Sequence, residues 1–265
     1  MMMKTIRVIR IALSVAVLLV TAMLVWQGHN ETLAHYQLTL NLSSMALGVL
    51  VTWLIVTLLV GRVYCSSVCP VGTLQDIAAW LDKRLRHGGK GHYHFVFSND
   101  RIRYLTLLLV AVSMTADQRY TGYVARLLDP SQLFSDCLGV HGFFTAPLFG
   151  LLGVGIALII LLGILWIAYR GEGRSFCNTI CPVGTVLGFV SRASLYHFDI
   201  DTDLCTGCNQ CVQECKAQCI NPNDHTIDLS RCVMCVNCAA SCPNRAIKFT
   251  NTRKRLSTPL MQPTP

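Results

Sequence analysis

Long apolar runs and short charged ones alternate along the first two thirds of the chain. The apolar runs occupy residues 7–27, 44–61 and 143–169, with a shorter one that starts at Ile102 and continues through YLTLLLVAVSMTA. A helix crosses the hydrocarbon core of a bilayer with about 20 mostly apolar residues. Three of the runs meet that length, and the one at Ile102 reaches it only with its flanks. The pattern predicts an α-helical membrane protein with four transmembrane helices. Beyond residue 198 the pattern changes: residues 199–250 are polar, show little helical periodicity and are dense in cysteine.

The charges sit beside the apolar runs. Lys4, Arg7 and Arg10 accompany the start of the first run. Lys83, Arg84, Arg86, Lys90, Arg101 and Arg103 lie around the stretch between the second and third, and Arg170, Arg174 and Arg192 follow the fourth. The loop GHNETLAHYQLTLN after the first run has no Lys or Arg, and the loop after the third offsets Arg119 and Arg126 with three Asp. The positive-inside rule then places both termini in the cytoplasm. The first run also has the basic start and apolar middle of a signal peptide, but no A-x-A-like site follows it. Its removal would still leave the C-terminal region inside. Only 14% of the 265 residues are charged, against about 25% in soluble domains. The net charge of +8 is therefore read as topology and not as a nucleic-acid surface. The tail RKR at 253–255 reads as a solvated basic stretch.

Fourteen cysteines would suit a secreted disulfide scaffold, but such scaffolds are short and polar. The spacing is more informative. Cys205, Cys208, Cys211 and Cys215 follow C-x2-C-x2-C-x3-C, and so do Cys232, Cys235, Cys238 and Cys242, 27 residues later. This is the two-cluster bacterial ferredoxin pattern, in which the fourth Cys of each run reaches the other cluster. Cys205, Cys208, Cys211 and Cys242 are thus assigned to one [4Fe–4S] centre. Cys232, Cys235, Cys238 and Cys215 are assigned to the other. Zinc favours two C-x2-C pairs around a longer spacer. The first run ends CKAQCI where the second ends CPNRAI, so Lys216 replaces the usual Pro and Cys219 falls opposite Ala246. Cys219 reads as a small buried residue outside the repeat, with a ligand swap with Cys215 as the alternative.

A second duplication lies at the ends of the even-numbered runs. RVYCSSVCPVGT (62–73) and RSFCNTICPVGT (174–185) are 112 residues apart. Each C-x3-C-P motif closes a pair of spans that starts and ends inside, which predicts two parallel repeats about an axis along the membrane normal. The axis would bring Cys65, Cys69, Cys177 and Cys181 to one depth. If each segment is helical, cysteines at i and i+4 share a face, and four thiolates could form a redox or metal site. Arg62 and Arg174 would favour thiolates and offset a bound group's negative charge, or simply anchor the chain at the bilayer edge. The cysteines could equally be structural, beside a Pro-Val-Gly turn. No His lies within the apolar cores and no C-x-x-C-H occurs, which argues against b- and c-type haem. No G-x-G-x-x-G follows a strand, so no Rossmann site is indicated. HYH at 92–94 is expected in an exposed basic loop, and Cys137 stands alone in an outer loop.

Four spans, two C-x3-C-P motifs and a C-terminal two-cluster ferredoxin resemble the NapH-type membrane ferredoxins, quinol dehydrogenase subunits associated with periplasmic nitrate reductase. The likeness covers nearly the whole chain. The related NosR type adds a periplasmic flavin-binding domain, and the CcoG type, linked to copper handling for terminal oxidases, adds a C-terminal β-domain; neither is expected here. The departures at Lys216 and Cys219 suggest a branch away from the nitrate-reductase members. The division expected is a first helix pair with its motif (1–95), a second pair with its motif (96–198), an α+β two-cluster ferredoxin domain (199–250) and a basic tail (251–265). The resemblance implies a multi-pass protein of the bacterial cytoplasmic (inner) membrane. It would take electrons from quinol in the quinone pool, through two [4Fe–4S] clusters, to another iron–sulfur or cytochrome subunit. A further metal centre at the C-x3-C-P cysteines is open. Asp76, Asp129 and Glu172 are weak candidates for proton acceptors. The alternative is a metal-handling factor whose C-x3-C-P thiols bind or reduce copper. A passive membrane anchor for a catalytic partner is a third reading.

Overall fold

The apolar runs form helices, and several of their polar residues, among them Arg10, Ser14, Thr21, Thr57 and Arg103, point inward. The structure, a computed structural model, describes residues 2–27, 44–86, 88–96, 100–116 and 147–251. Cys137, Asp129 and the basic tail lie outside the described residues, as does most of both outer loops. Helix α1 spans Met2–Trp26, α2 Ser44–Val60 and α3 Val63–Ser67. Helix α4 spans Pro70–Leu85, α5 Asp100–Ala116 and α6 Pro147–Ile167. Among the described residues one stretch, Met3–Leu24, is long and apolar enough to cross a membrane, and Gly48–Val60 and Leu158–Gly171 are shorter apolar helices. On α1, Arg10, Ser14 and Thr21 are buried while Ile9, Leu13 and Met23 are more than half exposed. Positions 10, 14 and 21 fall on one helical face, so this helix turns its polar stripe to the protein and its apolar residues outward. Leu105, Leu108 and Leu109 on α5 and Ile159, Leu162 and Trp166 on α6 face outward too.

Each C-x3-C-P motif folds as a helix, a break and a second helix. The second copy gives α7 (Ser175–Thr179) and α8 (Pro182–Ser191), matching α3 and α4. The motif is therefore not one continuous helix, so the condition for Cys at i and i+4 to share a helical face is not met. Pro70 and Pro182 cannot donate a backbone hydrogen bond, so each starts a new helix and not a continuation. Cys69 and Cys181 become the residues before those helices, with almost the same backbone (φ −67°, ψ 118° and φ −63°, ψ 119°). Gly72 and Gly184 are needed because a Cβ there would lie 2.4 Å from the Cys65 carbonyl oxygen and 2.2 Å from that of Cys177.

The C-terminal part is a small α+β unit. Strand β1 (His197–Ile200) pairs antiparallel with β4 (Ile247–Thr250), and β2 (Ile220–Asn221) with β3 (Thr226–Ile227). Two short helices, α9 (Gln210–Gln213) and α10 (Asn237–Ser241), follow the cysteine loops. The residue before each, Asn209 and Val236, has positive φ; a β-branched residue in that region is a conformation the surroundings must enforce. The unit is joined to the helical region by backbone. Leu195 and Tyr196 N–H donate to the carbonyls of Leu58 and Leu59 at 2.8 Å, and Arg174 N–H donates to that of Lys216 at 3.0 Å.

Candidate iron–sulfur and thiol sites

The eight repeat cysteines line two separate cavities. Cys205, Cys208, Cys211 and Cys242 line one, together with Leu204, Thr206 and Gly207. Cys208 is exposed and the other three are half-buried. Cys215, Cys232, Cys235 and Cys238 line the other and are all buried. The chain thus brings together the same two groups of four that the spacing pairs. Soft thiols converging in one cavity are the donor set of an iron–sulfur cluster. Backbone N–H groups also point at the sulfurs: Ala246 at Cys242, at 3.3 Å, and Ala217, Gln218 and Cys219 at Cys215. Among the described residues no three His, Cys, Asp or Glu side chains close on a single metal ion; thiolates around a cubane each take a separate iron. The donor sets therefore suit two clusters.

Cys219 belongs to the buried site. Its sulfur lies 3.5 Å from that of Cys215 and lines the same cavity. The Cys219 thiol hydrogen-bonds to Cys215, which lowers the Cys215 thiol and raises its own. It shares a hydrogen bond with Cys215 and contacts Cys232 as well, a position that fits the alternative of an exchange with Cys215.

The buried site is clamped by the helical region from several sides. Arg62 Nη1 donates to the Ser230 carbonyl (2.8 Å), two residues before Cys232, and to Asn178 Oδ1 (3.0 Å). Arg103 on α5 donates to Ser230 Oγ and O (3.2 and 3.4 Å). Asn178 donates to the Ala217 carbonyl at 3.0 Å. A buried arginine is tolerated only when its donors are used, and here they are spent mainly on backbone carbonyls.

Cys65, Cys69, Cys177 and Cys181 are buried in one apolar core between these elements. Cys177 Sγ meets Gln75 Oε1 of α4, the helix that the other motif starts, at 3.2 Å. The two arginines cross over: Arg62 Nη2 donates to the Cys177 carbonyl (3.1 Å) and Arg174 Nη1 to the Cys65 carbonyl (2.6 Å). Only Arg62 also approaches a thiol, Cys65 Sγ, at 3.8 Å. The arginines favour the thiolate form of Cys177, but burial outweighs them. Burial pushes Cys177 up to about 12, despite Arg174 and Arg62, and raises Cys69 and Cys181 well above the usual thiol range.

Asp76 is the hub of a partly buried charge network. It accepts from Arg174 Nε at 2.8 Å and pairs with Lys216 Nζ at 3.2 Å and Arg10 Nη1 at 3.7 Å. Burial alone would raise its carboxyl, but the three cations hold it well below the usual carboxylate range. That makes Asp76 a poor proton acceptor and a structural counter-ion. Glu172 has no described side chain. The HYH stretch is corrected in part: it is a loop and His94 is exposed, but His92 packs on buried Asp82 (3.0 Å) and Tyr93 is buried. Tyr93, Gln75, Asn178, Ser230 and Asn237 gave no advance signal, being common residues without a motif. The repeated Pro-Val-Gly-Thr did point to the glycines.

Two family matches cover these sites. A 4Fe-4S binding domain matches residues 43–87 and again 154–200, the two stretches that contain the C-x3-C-P motifs. A second 4Fe-4S binding domain matches 198–221. The chain is 26% identical to the putative electron transport protein YccM of Escherichia coli, over 77% of this chain and 55% of that protein. It is 30% identical to the methylamine utilization ferredoxin-type protein MauN of Paracoccus denitrificans (68% and 55%) and 27% identical to the ferredoxin-type protein NapH of Haemophilus influenzae (77% and 67%). The match thus spans little more than half the length of the first two. No solved structure matches.

Proposed function

Starting from a ferredoxin-type iron–sulfur electron-transfer protein that resembles the NapH-type membrane ferredoxins, we propose that this chain oxidises quinol in the membrane and delivers the electrons to a partner reductase chain. The observation that carries this reading is the unequal setting of the two thiol sets. One is buried against the helical region and the C-x3-C-P motifs, and the other opens outward. Bound there, two [4Fe–4S] clusters supply two one-electron carriers. Cys215, Cys232, Cys235 and Cys238 would hold the one nearer the helices; Cys205, Cys208, Cys211 and Cys242 would hold the one nearer the partner. Oxidation of one quinol releases two electrons, one for each carrier, and two protons, which pass to water on the cytoplasmic side.

The apolar outward faces of α1, α5 and α6 and the buried polar stripe of α1 support four spans in a bilayer, since a soluble protein rarely exposes so much contiguous apolar surface. The basic stretches place both termini and the 199–250 domain in the cytoplasm. The reciprocal contacts of Arg62 and Arg174 support two parallel repeats, 1–95 and 96–198. Cys65, Cys69, Cys177 and Cys181 at their junction form a third, shared thiol site. The protonated state that burial favours suits thiols that lose their protons only on taking up a metal or on oxidation.

The test is anaerobic reduction of the purified protein by decylubiquinol or by menadiol, followed optically. Loss of iron–sulfur absorbance is expected. No bleaching by either quinol, in protein that dithionite does bleach, would remove the quinol reading. For the shared site, Cys65→Ser and Cys177→Ser should each lower quinol-driven reduction about tenfold or more, and the double variant should add little, since residues acting as a unit are non-additive. Full activity of the double variant would leave the four cysteines structural, and multiplicative losses would separate the two pairs.

A further inference from the structure

Helix α4 is amphipathic in the opposite sense to a helix that meets water. Such a helix buries its apolar stripe and shows its polar face. On α4, Gln75 and Asp82 are buried, while Ile77, Trp80, Leu81 and Leu85 are exposed, Trp80 by 56% and Leu85 by 66%. Positions 77, 80, 81, 84 and 85 have the spacing of one helical face. They form a continuous outward stripe that includes Arg84, whose guanidinium stands over the Trp80 ring at 6.0 Å. With 16 residues, among them Asp76, Asp82, Lys83 and Arg84, α4 is too short and too charged to cross a bilayer.

The surroundings of α4 set its stripe beside the other apolar faces. Ile77 and Trp80 line a cavity of about 300 Å³ together with Ile11 and Val15 of α1. Those two are exposed on Met3–Leu24, the stretch long and apolar enough to cross a membrane. Arg86, just beyond α4, stands over the Tyr169 ring at 6.0 Å, two residues after the end of α6, and Arg170 stands over the exposed Trp166 at 5.9 Å. Trp and Tyr concentrate where a span meets the headgroup layer, so α4 runs at that level.

The charge around the stripe is one-sided. Lys4, Arg84, Arg86 and Lys90 are exposed. The acids close by, Asp76, Asp82 and Glu214, are turned inward and paired with Arg174, His92 and Lys83. The cavity behind the stripe holds Arg7, Arg10, Lys83 and Lys216 against Asp76 and Glu214, and Arg7 has no ion pair among the described residues. An outward apolar stripe with a Trp in it, flanked by cations while the acids point inward, is the chemistry of a helix lying in an anionic headgroup layer.

We propose that the outward face of α4 lies in the cytoplasmic headgroup layer of the membrane, with Ile77, Trp80, Leu81 and Leu85 against the acyl chains and Arg7 and Arg84 on the phosphate of an anionic phospholipid. The inference rests on the membrane reading above and is independent of the quinol one. The second C-x3-C-P repeat does not carry the stripe. The residues 112 positions on from Ile77, Trp80, Leu81 and Leu85 are Phe189, Arg192, Ala193 and His197, and α8 ends at Ser191, before three of them. The first repeat alone builds this seat.

The test is photocrosslinking of the full protein in nanodiscs of equal parts phosphatidylcholine and phosphatidylglycerol. The crosslinker p-benzoylphenylalanine replaces Leu81 or Leu85 or, as a reference on the outward face of α1, Leu13. Mass spectrometry is expected to find lipid adducts at all three positions. At positions 81 and 85 phosphatidylglycerol should exceed phosphatidylcholine about fivefold, as one cation near an anionic surface contributes. Arg7→Gln combined with Arg84→Gln should bring that ratio to about twofold or less, with lipid adducts still formed. Every variant should keep the iron content of the unaltered chain. Lipid at position 13 and none at 81 and 85 would overturn the seat and leave the membrane reading intact; lipid at none of the three would remove both. Adducts at 81 and 85 with a second copy of the chain or another protein would overturn the seat in favour of a protein interface. Equal yields of the two lipids, or a ratio that the arginine substitutions leave unchanged, would overturn the anionic headgroup.

Discussion

The two four-cysteine runs of the C-terminal unit share one spacing and meet opposite surroundings. Around Cys215, Cys232, Cys235 and Cys238 the chain supplies Arg62, Arg103 and Asn178 from the helical region, and all four thiols are buried. Around Cys205, Cys208, Cys211 and Cys242 it supplies the exposed Leu204, Gly207 and Asn244. A motif of this kind fixes which thiols converge; what it faces depends on residues far away in sequence. The same difference separates two acids. Asp76, beside the buried set, is enclosed by Arg174, Lys216 and Arg10, while Asp201, near the outer set, pairs with the half-exposed Lys248.

The largest effect should come from breaking that second contrast. Asp76→Asn leaves three cations, two of them buried, without their shared counter-charge; removing one partner of a fully buried ion pair costs about 3–5 kcal/mol, and the part exposure of Asp76 makes that an upper bound. The variant should accumulate poorly or unfold at much lower temperature in detergent. Asp201→Asn should be hard to tell from the unaltered protein, because Lys248 stays solvated. The pH dependence follows the same order. Both carboxyls are lowered in the folded chain, so each stabilises above the ordinary aspartate value of about 3.9 and loses that contribution as pH falls through it toward the folded value. Thermal unfolding followed from pH 5 down to pH 2 should show a loss that steepens below about pH 4, and Asp76→Asn should flatten it while Asp201→Asn does not. Equal slopes in both variants would remove the contrast.

Removing the fourth cysteine of each run should have a smaller and one-sided effect. Cys242→Ala leaves the outer set with three thiols and should lower iron by about half. Cys215→Ala should retain most of its iron, because Cys219 lies 3.5 Å from the vacated position and lines the same cavity. Cys215→Ala combined with Cys219→Ala should then match Cys242→Ala. Iron and sulfide analysis of anaerobically purified protein decides this. Equal losses in Cys242→Ala and Cys215→Ala would show that Cys219 cannot serve as a ligand.

The sequence revealed the parts of the molecule that repeat. Two C-x2-C-x2-C-x3-C runs named the eight thiols that line the two cavities, and two RxxC-x3-CPVGT stretches marked helix breaks with equivalent cysteines. Apolar runs at 7–27 and 44–61 located α1 and α2 because helix length and hydropathy are local properties. What could not be read are contacts between distant segments. Nothing local says that Arg62 reaches across to the Cys177 carbonyl and not only to its own thiol, or that Asp76 gathers cations from positions 10, 174 and 216. Tyr93 sat in a stretch that looked basic and exposed, yet its phenol is buried; burial is a tertiary property that composition does not report. Cys219 read as a small buried residue outside the repeat, because an alignment of the two runs has no account of what lies beside a thiol in space.

The smallest effect, and the finest probe of the two settings, is the hydrogen bond from Cys219. Hydrogen bonds to cluster sulfurs help set reduction potential, because they stabilise the more negative, reduced state. The Cys219 thiol reaches Cys215 in the buried set; in the outer set the corresponding position is Ala246, which offers its backbone N–H to Cys242 at 3.3 Å and no side-chain donor. Cys219→Ala should therefore keep both sets of iron and shift one of two potentials, that of the buried set, to a more negative value. Cys219→Ser keeps a donor and should restore most of the shift. An anaerobic redox titration followed by electron paramagnetic resonance, before and after each substitution, separates the two centres. If both potentials move together, the substitution acts through the fold as a whole. If neither moves, the thiol does not contact a cluster sulfur when the site is filled. A shift confined to one centre would place Cys219 beside the centre that Cys215 holds, and so assign the more perturbed signal to the side facing the helices.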